Sequence, residues 1–224
     1  MKHCNILIYN NGNAILPKNI KNLIFEFGES YKNATYQIIR NSKSLDENGE
    51  VFIECASLIL SNFGMTRRGV FSDNPHDTLQ TCWEKIGSSL LEIKSQINDS
   101  GKSRDRYLLE ISETELDEIT SRIWSMTKDL LPITMSKASY GLVGASKILF
   151  SVLPELVLPV DNQQWMQLFK TVDLGDVIQF MTQDIYQWEY ATGEKLNLMD
   201  PSGRLSTLPA VYNVVAMAAR PNNN

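Results

Sequence analysis

The sequence predicts a mainly α-helical, multi-helix globular bundle with a small β element at its N-terminus. Three observations carry this reading. Apolar residues recur at spacings of three and four over most of the chain, the stripe of a helix with one buried face. Helix start signals precede these stripes, including a capping box at "SETE", Ser112 to Glu115. Strand-like runs around a turn occur before Pro17, and helical patterning takes over after it.

The elements follow in order. Ile6 to Tyr9 and Ala14 to Leu16 flank the turn-forming Asn10-Asn11-Gly12-Asn13, so residues 1–16 read as an appended strand or hairpin. Pro17 fits the first turn of a helix that runs to Phe27, ahead of Gly28. Further helices are expected over Tyr31 to Arg40 and Asp46 to Phe63, the latter closed by Gly64. "GMTRRGVFSDNP", Gly64 to Pro75, is a loop carrying Arg67 and Arg68. Asp77 reads as the N-cap of a helix whose Leu79, Cys82, Trp83, Ile86, Leu90, Ile93 and Ile97 make one buried stripe, stopped by Ser100-Gly101. Behind the capping box, Leu116, Ile119, Ile123, Met126 and Leu130 predict a core helix, since two heptads are too few for a coiled coil. After Pro132 come three more helices, Ser139 to Leu153, Asn162 to Lys170 and Gly175 to Tyr190. A last helix near Leu208 to Arg220 leads into a polar tail, 221–224, expected to be disordered. Residues 17–220 therefore read as a single helical domain.

Composition removes several functions. With 43% apolar and 21% charged residues in 224, the chain has the balance of a globular protein. No apolar run is long enough for a bilayer, so no membrane association is expected. Cys4, Cys55 and Cys82 are widely spaced without a CxxC pair, and His3 and His76 are the two histidines. That excludes a clustered zinc site and a confident Ser-His-Asp set, and points to reduced thiols in a cytosolic setting. A net charge of −5 argues against a broad nucleic-acid footprint, and from Pro154 to Asn224 four basic residues stand against eight acidic ones. Gly141-x-x-Gly144-x-x-Lys147 imitates a phosphate loop, but Ser146 rather than Gly precedes the lysine, so nucleotide hydrolysis and a nucleotide cofactor are not expected. Nothing in the sequence calls for another cofactor.

One stretch carries more than burial requires: "YGLVGASKILFSVLPELVLPVDNQQW", Tyr140 to Trp165. Its Gly141-Leu142-Val143-Gly144 corner, Ser146-Lys147, and Pro159-Val160-Asp161 opening a helix with Trp165 resemble the core of the helix-hairpin-helix DNA glycosylases. Those proteins have an "LPGVGxK" hairpin and a later "PVD" before a helix. The resemblance covers about 25 residues, within a hairpin-like core at 139–170. It implies Asp161 as the carboxylate that stabilises charge on a sugar or orients water, and Lys147 as a Schiff-base amine of lowered pKa. It implies Gly141, Gly144 and Ser146 around a phosphate, Trp165, Trp188 or Trp124 beside an extruded base, and Arg67 and Arg68 on the nucleic-acid backbone. Here Ala145-Ser146 follows Gly144 where the family has a second glycine, and with Leu142 and Gly144 matched the family's lysine column falls on Ile148. The stretch also resembles bacterial helical proteins of unassigned activity with an S-K-x-L…P-x-L…P-x-x-D pattern, read here as Ser146-Lys147, Leu149, Pro154, Leu156, Pro159 and Asp161.

Each of these residues has a structural reading too. Asp161-Asn162-Gln163-Gln164 is itself a capping box, Lys147 fits a solvated helix face, and the glycines suit close helix approach. Two functions compete. One is a glycosylase-like, nucleic-acid-related protein whose DNA-binding face gathers Arg67, Arg68, Lys102, Arg104, Arg106 and Lys147 around Asp161, with catalysis intact or lost. The other is a non-catalytic subunit that binds a protein partner in a bacterial nucleic-acid-processing or defence complex.

Overall fold

Nearly every apolar stripe predicted above is buried in one cluster that runs from Ile6 to Ala216. A computed structural model describes residues 6–8, 13–67, 69–136 and 141–220, and within them nine α-helices and a π-helical run but no β-strand. The helices are α1 Pro17–Glu26, α2 Glu29–Asn41, α3 Glu50–Asn62, α4 Pro75–Asp99, α5 Tyr107–Glu110, α6 Glu113–Thr134, α7 Leu142–Val152, α8 Leu174–Thr192 and α9 Leu208–Ala218.

At the N-terminus Ile8 and Ala14 form an isolated antiparallel bridge, and the Ile15 amide donates to the Leu7 carbonyl at 2.8 Å. The turn expected at Asn10 to Gly12 lies outside the described residues. This segment is fastened to α8 and α9. One oxygen of the buried Asp184 accepts the amides of Ile6 and Leu7 at 3.0 and 2.9 Å and the Tyr212 hydroxyl at 3.0 Å. Burial pushes the Asp184 carboxyl above its ordinary range, against those hydrogen bonds. The Trp188 indole adds a bond to the Ile15 carbonyl at 2.7 Å.

Helix α3 starts at Glu50 rather than Asp46, whose carboxylate accepts the Glu50 and Val51 amides, and two other boundaries differ from expectation for a backbone reason. Asn74 rather than Asp77 caps α4, because Pro75 presets a helical φ and starts the helix earlier; Asp77 sits in the first turn, its amide donating to Asn74. Helix α6 continues through Pro132 to Thr134, since a proline in the final turn forfeits a single amide donor. The capping box at Ser112 and Glu115 forms in full.

Helix α7 is the pivot of the packing. It lies mainly against α3 and α6, while α4 and α8 flank α6. Every residue from Gly144 to Val152 is buried, as expected of a helix apolar almost all round. Two glycines permit the approach. Gly141 caps α7 with φ of 82°, and a Cβ there would stand 2.6 Å from Thr134 Oγ1; one on Gly144 would meet Thr134 and Phe71 at 3.2 and 3.3 Å. The chain after α7, 153–160, is buried as well.

Candidate functional site

Because α7 exposes no face, any residue in its middle must be buried, and position 147 is a lysine. Lys147 is 2% exposed. Its amine sits 4.5 Å from the centroid of the Phe63 ring, at the end of α3. Among the described residues it makes no hydrogen bond and no ion pair within 4 Å. Burial holds its pKa down at about 8, and the nearby negative charge of Asp161 raises it by less than burial lowers it. At pH 7 an amine of that pKa is unprotonated in about one molecule in ten, against roughly one in three thousand at the ordinary 10.5.

The carboxylate is placed by its neighbours. Ser146 Oγ accepts the Val160 amide and donates to the Val160 carbonyl, both at 3.1 Å, which staples α7 to the chain just before Asp161. Asp161 Oδ1 accepts the Gln164 amide at 2.8 Å while Gln164 Oε1 accepts the Asp161 amide at 2.8 Å, a reciprocal cap. The other oxygen takes Arg220 Nη1 at 2.5 Å. Asp161, with 24% of its side chain exposed, is thus a held anion with both oxygens engaged, not an unencumbered base. Arg220 comes from just beyond α9, 59 positions away, and no local signal in the sequence announces it.

The helix that Asp161 opens is π-helical over Gln164–Phe169 and ends at Lys170 in the left-handed region, φ 55°. Single π turns recur at functional sites. Two buried donors in it lack acceptors among the described residues: Gln164 Nε2 and the Trp165 indole. Trp165 is buried, and Trp188 is bonded to the N-terminal segment.

The remaining candidates separate. Gly141 and Gly144 are packed against Thr134 and Phe71, and Ser146 is spent on Val160. Arg67 is exposed in the turn Met65–Arg67, four residues past the ring that covers Lys147, and Arg68 lies outside the described residues. The other cations expected on a DNA face carry carboxylate partners: Lys102 with Glu115 at 3.3 Å, Arg104 with Glu155 at 3.2 Å, Arg106 with Glu189 at 2.7 Å. Of the thiols, Cys55 and Cys82 are buried and pushed up to about 12 by burial, so both are inert, and Cys4 lies outside the described residues. The described residues contain no cluster of metal-binding side chains and no helix long and apolar enough to cross a membrane. No family model matches the chain, and no curated protein or solved structure matches it either.

Proposed function

We propose that the protein is a glycosylase-like enzyme of sugar aldehydes in damaged nucleic acid, with Lys147 as its nucleophile. One observation carries the reading: a buried lysine with no hydrogen bond or ion pair among the described residues, held at a pKa of about 8. A lysine kept only for packing would be better replaced by methionine, whereas a desolvated amine is what Schiff-base chemistry needs. The neutral amine attacks the aldehyde carbon of an abasic deoxyribose and forms a C–N bond. The resulting carbinolamine takes up a proton from solvent at its hydroxyl, loses that oxygen as water, and leaves a cationic imine. Asp161 is the fixed negative charge close enough to favour that cation, and Arg220 and the Gln164 amide keep it in place. With Lys102, Arg104 and Arg106 already paired, the DNA footprint is small and its salt dependence shallow.

The test is reductive trapping with borohydride, using duplex DNA with an abasic site and, separately, deoxyribose 5-phosphate. The expected result is a covalent adduct mapping to Lys147 with the DNA and none in Lys147→Met. An adduct with the small sugar alone moves the substrate class away from nucleic acid. No adduct with either, from a folded protein, removes the proposal.

A second reading, a non-catalytic binding subunit, is favoured by a groove of about 630 Å³ between α5, α6 and α8. Leu108, Leu109, Ile111, Leu116 and Tyr186 line it, and Tyr186 is 64% exposed. That reading expects no adduct under any condition.

A further inference from the structure

Away from Lys147, a cavity of about 450 Å³ opens between the C-terminal end of α2, the turn Arg104–Arg106 and the loop before α9. Arg40, Lys43 and Arg104 line it together with Tyr36, Asp105 and Ser206. Neither Arg40 nor Lys43 joins an ion pair among the described residues. Tyr36 holds Arg40 twice, accepting from Nη1 at 3.3 Å and lying with its ring centroid 5.4 Å from the guanidinium.

Arg104 is anchored from behind. Its Nη2 bonds the buried Glu155 at 3.2 Å and its Nη1 reaches the Ile39 carbonyl at 3.5 Å. Its Nε is buried and has no acceptor among the described residues. Glu155 also takes Lys94, at 2.5 Å. Four cations, Lys94, Arg104, Arg40 and Lys43, therefore stand against two carboxylates, Glu155 and Asp105, and Asp105 is further engaged by the Ser206 hydroxyl at 3.1 Å. The imbalance is local, in a chain whose net charge is −5. Positive potential concentrated in a concave site, with one guanidinium locked and another held by a tyrosine, is prepared for a compact dianion.

We infer that this cavity binds the terminal phosphate of a small phosphorylated molecule. Guanidinium groups match the oxygens of a phosphate monoester, and Lys43 adds a point charge. The volume accommodates a phosphorylated sugar or a nucleoside monophosphate. A phosphodiester carries one charge rather than about two, so an internal nucleic-acid phosphate is the weaker ligand. The inference does not rest on Lys147 and survives the failure of the Schiff-base reading.

The experiment is calorimetric titration of the full chain with inorganic phosphate, a nucleoside monophosphate, and a short oligonucleotide bearing hydroxyl ends. Saturable binding is expected for the first two, and the oligonucleotide should not compete. Arg40→Ala combined with Lys43→Ala, both exposed and outside the ion pairs, should weaken binding between about tenfold and a hundredfold without lowering Tm. Lys147→Met should leave it unchanged. Absence of saturable binding up to about 10 mM, equal affinity in the double variant, or full competition by the oligonucleotide would each overturn the inference.

Discussion

Lys94 and Lys147 are buried in the same core, 3% and 2% exposed, and the fold treats them in opposite ways. Lys94 meets Glu155 at 2.5 Å, and Arg104 takes the other oxygen of that carboxylate at 3.2 Å. Lys147 has an aromatic face at 4.5 Å and a carboxylate that acts on it from beyond contact. A third buried lysine, Lys32, resembles Lys94: its amine bonds the Ile24 and Phe25 carbonyls at the end of α1 and pairs with Glu29 at 2.6 Å. Where this fold buries a lysine for architecture, it supplies acceptors. Position 147 departs from that habit, and the proposed function rests on that departure.

The largest effect should come from breaking the satisfied lysine. Glu155→Gln leaves Lys94 and Arg104 without their shared anion, and denaturant unfolding should show a loss of about 3–5 kcal/mol. Lys147→Met should do the reverse at pH 7, raising stability by about 2 kcal/mol as the desolvated charge is removed. If Lys147→Met is as damaging as Glu155→Gln, the two lysines are alike and the contrast fails.

That second effect has a pH signature. The folded-state pKa of Lys147 is lowered, so between about 8 and 10.5 the unfolded chain binds more protons than the native one. Stability attributable to this group therefore rises with pH across that window, and the full cost is present below it. The advantage of Lys147→Met, measured as a difference so that thiols and tyrosines cancel, should shrink above pH 8 and be gone by about 10.5.

Smaller changes sharpen the contrast. Ser146→Ala strands the buried Val160 amide and should lower stability by about 1–2 kcal/mol, loosening the approach of Asp161. Asp161→Asn removes the charge that raises the Lys147 pKa, so the midpoint for reductive methylation of Lys147 should fall below 8. An upward shift would mean that Asp161 does not act on the amine.

Much of the helical framework was legible because its signals are local. The α4 stripe, the Ser112-Glu115 box and the Asp161-Gln164 box each rest on residues a few positions apart, and each forms. The site was legible only in part. Lys147 and Asp161 stood out by residue type, yet the solvated reading of Lys147 failed because the burial of α7 depends on helices distant in sequence. The pairing of Asp161 with Arg220 and of Arg104 with Glu155 spans 59 and 51 positions, beyond the reach of any periodicity. The composition of 162–170 does not distinguish the π-helical turn at Gln164–Phe169 from an ordinary helix.

The most direct test is a pH titration of the Lys147 side chain by NMR in lysine-labelled protein, assigned by comparison with Lys147→Met. A midpoint near 8 is the predicted result. A midpoint at or above the ordinary 10.5 would contradict it, since a normally charged amine there is neither desolvated nor ready to attack a carbonyl.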